Sequence, residues 1–120
     1  MLRRLPSILI VAALGAFGAS CGDDNPTGPN SGTMTIRIVD NAGNMSFSPE
    51  LASVRVGQTI EFANNDQIVH EIASDAEGVF DVGTIQPGTT SRTFTLTSTG
   101  SVPYHCEIHP SMVGTITVTN

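Results

Sequence analysis

The chain has 120 residues, room for one domain, of which 39% are hydrophobic and 13% charged, and its net charge is −6. Lys is absent, and once Arg3 and Arg4 leave with the leader described next, three Arg face eleven acids, a net charge of −8. This balance argues against nucleic acid and anionic membrane surfaces, which are held largely by basic groups, and suits a basic partner protein, the alternative being a charge that serves only solubility.

Met1 to Ser20 carries Arg3 and Arg4 and then a mostly apolar run from Leu5 to Ala19 that ends in small residues, the layout of a secretory signal peptide. The run is too short to span a bilayer comfortably, so the chain reads as exported with its leader removed. Cys21 follows Gly-Ala-Ser, and this junction resembles a bacterial lipoprotein signal, in which the Cys is lipidated and begins the mature chain. Ordinary cleavage after Ala19 or Ser20 is the alternative. The expected location is the periplasm or cell envelope, with membrane contact only through a lipid on Cys21. Residues 21–33 are polar, rich in Gly, Pro and Asn, and lack an apolar period; they read as a flexible linker. The domain proper is placed at 34–120.

From Met34 the sequence M-T-I-R-I-V-D alternates, which sets Met34, Ile36 and Ile38 on one face of a strand. Asn41 to Asn44 is a turn, and Pro49 in S-F-S-P-E marks a bend or an edge. Leu51 to Val56 resumes a strand, and Thr59 to Asn64 is another, with Ile60 and Phe62 inward. Asn64, Asn65 and Asp66 then turn the chain toward His70, which opens a further strand. Ser74 to Gln86 shows no clear period and reads as loop. After a turn at Pro87-Gly88, Ser91 to Thr97 is a Thr-rich strand with Phe94 and Leu96 toward the core. Val102 to Cys106 and Gly114 to Thr119 are the last two strands. Short strands between frequent turn signals, with no convincing helix, argue for an antiparallel β-sandwich. Phe47, Phe62, Phe80, Phe94 and Tyr104 are its expected anchors.

The chemistry is concentrated between Val102 and Val113, in V-P-Y-H-C-E-I-H-P-S-M-V. Cys106, His109 and Met112 follow one another at intervals of three, a spacing that suits a loop folded around one ion. Soft sulfur donors combined with imidazole select copper over hard cations, and two His, one Cys and a weak axial Met form the donor set of a blue-copper electron-transfer site. The loop supplies one imidazole by this count, and His70 is the candidate for the second. His105 adjoins Cys106 on a strand, so its side chain points to the opposite face and away from the ion. The bland alternatives are a Cys that is only a small buried hydrophobe, a Met that only fills the core and a His70 bonded locally. Cys21 lies beyond a linker and Cys106 among metal donors, so no disulfide is expected.

The segment Y-H-C-E-I-H-P-S-M followed by G-T-I-T-V resembles the ligand loop of the cupredoxins. Its Cys-x-x-His-x-x-Met spacing is nearest to that of amicyanin, with plastocyanin and pseudoazurin as longer-looped relatives. N-N-D-Q-I-V-H at 64–70 resembles the family's first-ligand segment, V-x-V-G at 54–57 the strand and turn before it, and the likeness covers about Met34 to Asn120. The resemblance implies an all-β, Greek-key antiparallel β-sandwich with one mononuclear type 1 copper on His70, Cys106, His109 and Met112. It also implies that electrons pass through His109, with Ile108, Pro110 and Val113 forming part of an apolar docking patch. Two positions depart from the family. Glu71 stands where Asn or a small hydroxyl residue usually follows the first His, and Ile108 replaces a Pro, with Pro110 after the second His instead. Both bear on tuning and leave the donor set intact.

The function expected from these residues is single-electron transfer between redox partners by Cu(I)/Cu(II) cycling. No second metal site or catalytic dyad is evident, so an enzyme is not expected. The partner would be a redox protein, such as a basic cytochrome or a copper- or quinone-linked oxidoreductase, with the chain itself a monomer. Copper delivery or buffering is the alternative. Structural zinc is less suited, because a thioether is a poor ligand for it.

Overall fold

The structure is a computed structural model and describes residues 32–120. The leader, Cys21 and most of the linker expected at 21–33 lie outside the described residues.

Alternation of apolar and polar residues produces nine strands in this region. They are β1 (Met34–Ile38), β2 (Phe47–Ser48), β3 (Leu51–Arg55), β4 (Thr59–Asn64), β5 (His70–Ser74), β6 (Asp81–Ile85), β7 (Phe94–Thr95), β8 (Gly100–Cys106) and β9 (Val113–Thr119). One 3-10 turn, Gly43–Met45, occupies the bend between β1 and β2. The strands form two sheets, ordered β2-β1-β4-β7 and β3-β9-β8-β5-β6, which make the two layers of a sandwich. Ile36 and Ile38 from β1, Ile60 and Phe62 from β4, and Ile116 and Val118 from β9 are buried together between them. Each such side chain removed from water contributes roughly 1.5–3 kcal/mol before the entropy of ordering is set against it.

Tyr104 is the centre of an aromatic cluster. Its ring meets Phe47 edge-on at 4.9 Å and Phe62 at 5.2 Å, while Phe80 and Phe94 stack on each other at 4.4 Å. All five expected anchors are therefore in contact with the cluster, with Phe94 only partly buried. The Tyr104 hydroxyl is buried and has no hydrogen-bond partner among the described residues. Burial, reinforced by the negative charge of Glu50, raises its pKa well above that of an ordinary phenol.

Three features differ from the sequence expectation. The sheets are mixed, because β1 runs parallel to β4 and β3 runs parallel to β9; one-sided burial imposes the same alternation on either strand direction. The segment 74–86, expected as loop, contains β6. Gly83 adopts φ 68° and the β5–β6 register shifts between Ile72 and Ala73, so the buried residues Val82 and Ile85 fall three apart and the two-residue period is lost. Conversely, the strand expected at 91–97 is regular only at Phe94–Thr95. The Ser91 hydroxyl accepts the Phe62 N–H at 2.9 Å, replacing a main-chain acceptor and interrupting the ladder before it.

The topology gathers one end of the sandwich. β1 and β4 finish side by side, with the Asn65 N–H donating to the Ile38 carbonyl. β5 starts there, and β8, antiparallel to it with Ile72 opposite Cys106, finishes there.

Candidate metal centre

His70, the first residue of β5, and Cys106, the last of β8, lie on neighbouring hydrogen-bonded strands. The Nδ1 of His70 is 3.7 Å from the Cys106 sulfur although the two residues are 36 apart in sequence. From the loop after β8, the Nδ1 of His109 approaches the same sulfur to 3.6 Å. The potential ligand atoms of the three residues all lie within 4.8 Å of one another. His70 and Cys106 are fully buried, and His109 is partly exposed.

Main-chain bonds shape the loop. The Met112 N–H donates to the His109 carbonyl at 2.9 Å and the Cys106 N–H to the Met112 carbonyl at 3.0 Å, which folds residues 106–112 back on themselves and returns Met112 to the buried side. The loop is fastened to β5 as well. The Glu107 N–H donates to the Glu71 carbonyl at 2.7 Å, and the Glu71 N–H points at the Cys106 sulfur from 3.5 Å. The tie between the two ligand-bearing segments thus runs through the backbone of residue 71, whatever its side chain. Cys106 is a free thiol.

His105 projects from the other face, as its neighbour's direction requires, and its Nδ1 pairs with the Asp75 carboxylate at 2.6 Å. On that side Glu71, Asp81 and Glu107 bring negative charges together. Partial desolvation and then the nearby Glu107 and Asp81 raise the Glu71 carboxyl above its ordinary value.

Sequence reasoning missed the group behind His70. Its Nε2 lies 2.8 Å from Oδ2 of Asp66, in the turn before β5. Partial desolvation works to raise the Asp66 carboxyl, yet the Gln67 N–H and the His70 ring hold it below the usual carboxylate range. Asn64 secures that turn. Its Oδ1 accepts the Asp66 N–H, and its buried Nδ2 donates to the Ile68 and Ile85 carbonyls at 2.8 and 3.0 Å. The available signal was the Asn-Asn-Asp run itself, which marked a turn without revealing which carboxylate would face the ring.

Two imidazoles facing one buried thiol, with a buried thioether at the end of the same loop, fit copper by donor chemistry and define a type 1 copper centre on a β-sandwich. Comparison with known proteins agrees. The chain matches the model of the copper binding proteins, plastocyanin/azurin family, over residues 34–119. It is 37% identical over 131 residues to the chloroplastic plastocyanin of Hordeum vulgare, covering 97% of this chain and 77% of that one. Among solved structures it is similar to a purple cupredoxin from Nitrosopumilus maritimus, with a TM-score of 0.64 and 26% identity over 72% of this chain and 99% of the other. It is also similar to part of a copper-containing nitrite reductase from Thermus scotoductus, with a TM-score of 0.63 and 29% identity over 73% of this chain and 22% of that one.

The chain belongs to the plastocyanin/azurin family of copper binding proteins, and copper is its cofactor.

Proposed function

We propose that this chain carries single electrons between redox proteins, using one copper held by His70, Cys106, His109 and Met112. The observation that carries the reading is the approach of two imidazole Nδ1 atoms to the same buried thiol, at 3.7 and 3.6 Å. When bound, copper supplies a one-electron couple between Cu(II) and Cu(I) and an intense thiolate-to-metal absorption.

The protein's share of the work is to keep the donors in one arrangement through both states. His70 and Cys106 stand on strands of one sheet, while main-chain bonds within the loop hold His109 and Met112. Burial of His70, Cys106 and Met112 keeps water from reorganising around the site. The Met112 thioether, a soft donor, favours the reduced ion. His109 is the partly exposed ligand and the proposed way in and out for electrons, with the exposed Ile108, Pro110 and Val113 as the apolar contact around it.

A four-donor site leaves no open position for a substrate, which favours a carrier over an enzyme. A copper store or delivery protein needs donors that a recipient can reach, and the burial of three donors disfavours that role. The proposed partner is a basic redox protein such as a cytochrome. The acidic cluster of Glu71, Asp81 and Glu107 and the net charge support this choice. From the leader, the proposed location is the periplasm or cell envelope.

The test is a visible spectrum and a voltammogram of the copper-loaded protein. An intense band and a reversible one-electron wave are expected. A colourless protein retaining stoichiometric Cu(II) would overturn the assignment.

A further inference from the structure

We propose that Asp66 is a positioning residue for the copper centre: its carboxylate accepts the Nε2–H of His70, commits Nδ1 to the metal and weights the site toward the oxidised ion. The inference rests on the electron-carrier reading and adds a determinant of its potential.

Three observations carry it. First, the contact is short, 2.8 Å from Nε2 to Oδ2, and it engages the nitrogen that does not face Cys106. A neutral imidazole has one N–H, so a carboxylate on Nε2 requires the proton there and leaves the Nδ1 lone pair free. Second, the carboxylate is held in place by the protein's own hydrogen bonds. Its other oxygen, Oδ1, takes the Gln67 N–H at 2.6 Å, and its own N–H is bound by the Asn64 side chain, which is itself buried and anchored to two carbonyls. Third, the pair is shielded. The His70 side chain is fully buried and that of Asp66 is 17% exposed, so little water competes for the bond.

A carboxylate behind a metal-bound imidazole makes it a stronger donor, as in carboxylate–histidine–metal triads, and stronger donation benefits Cu(II) more than Cu(I). A neutral acceptor at 66 would keep the orientation and lose the charge. The two contributions are therefore separable by substitution.

The experiment compares wild type with Asp66→Asn and Asp66→Ala. Nitrogen NMR of the copper-free proteins reads the His70 tautomer, and voltammetry of the copper-loaded proteins reads the potential. Wild type and Asp66→Asn should show a single Nε2–H tautomer, and Asp66→Ala a mixture. The preference for Cu(II) should fall about tenfold in Asp66→Asn, a rise in potential of about 59 mV. An Nδ1–H tautomer in wild type, or an unaltered tautomer in Asp66→Ala, would overturn the positioning role; an Asp66→Asn potential equal to that of wild type would overturn the tuning. If wild type itself gives no reversible wave, the carrier reading falls and takes the tuning with it, while the tautomers still decide the positioning.

Discussion

Tyr104 and Gly114 stand opposite each other on β8 and β9, and the phenol ring fills the space that a side chain at 114 would need. A Cβ there would come within 2.4 Å of the ring, far inside contact distance. The ring is fixed by Phe47 and Phe62, so it cannot step aside cheaply. Gly114→Ala should cost about 1–3 kcal/mol of stability, the usual penalty for overpacking. Denaturant titration of the two proteins measures it, and equal stabilities would mean that the cluster repacks freely.

Tyr104→Phe should behave in the opposite way. The hydroxyl it removes is buried without a partner among the described residues, a state that costs about 1–3 kcal/mol for a polar group, and the ring contacts remain. The variant should melt at the same temperature as wild type or higher. A clear drop in melting temperature would mean that the hydroxyl is bonded in solution.

Cys106→Ser tests the origin of the colour. Both imidazoles face this sulfur, so replacing it with oxygen should abolish the intense visible band while the β-sandwich persists. Absorption and circular dichroism on one sample check both halves of the statement.

Met112→Gln addresses the soft donor. A harder oxygen in place of the thioether should stabilise the oxidised ion and lower the reduction potential while the site stays coloured. Voltammetry and the self-exchange rate by NMR decide between carrier and store. A wild type that exchanges electrons slowly, with a potential indifferent to residue 112, would count against the carrier.

Cys21→Ser examines anchoring. Membrane fractions should hold the wild-type chain and lose the variant, whose copper spectrum should be unchanged. A soluble wild type that begins at another residue would refute lipidation.

The strands that sequence made legible are those with one buried face and regular geometry. Ile36 and Ile38, Ile60 and Phe62, and Tyr104 and Cys106 fall at every second position, and the structure buries them accordingly. Alternation also placed His105 on the face away from Cys106, where it meets Asp75. β6 was hidden because Gly83 and the adjoining register shift break the period on which such a reading depends. The start of β7 was obscured by a hydroxyl standing in for a backbone acceptor, a substitution that residue type alone does not announce. Among site residues, Cys106, His109 and Met112 are neighbours in sequence and so were visible together. Asp66 reaches His70 through a turn whose geometry depends on Asn64 bonding across to Ile85, a long-range contact that no local pattern encodes.

The 36-residue separation of His70 from Cys106 has a consequence for the unfolded chain. Only the pairing of β5 with β8 brings this imidazole to the sulfur, whereas Cys106, His109 and Met112 stay within one heptapeptide even when every strand has melted. A denatured molecule therefore keeps a soft three-donor chelate and with it some affinity for Cu(I). Because metal bound to the unfolded state offsets metal bound to the native one, copper raises the melting temperature by less than its native affinity alone would give.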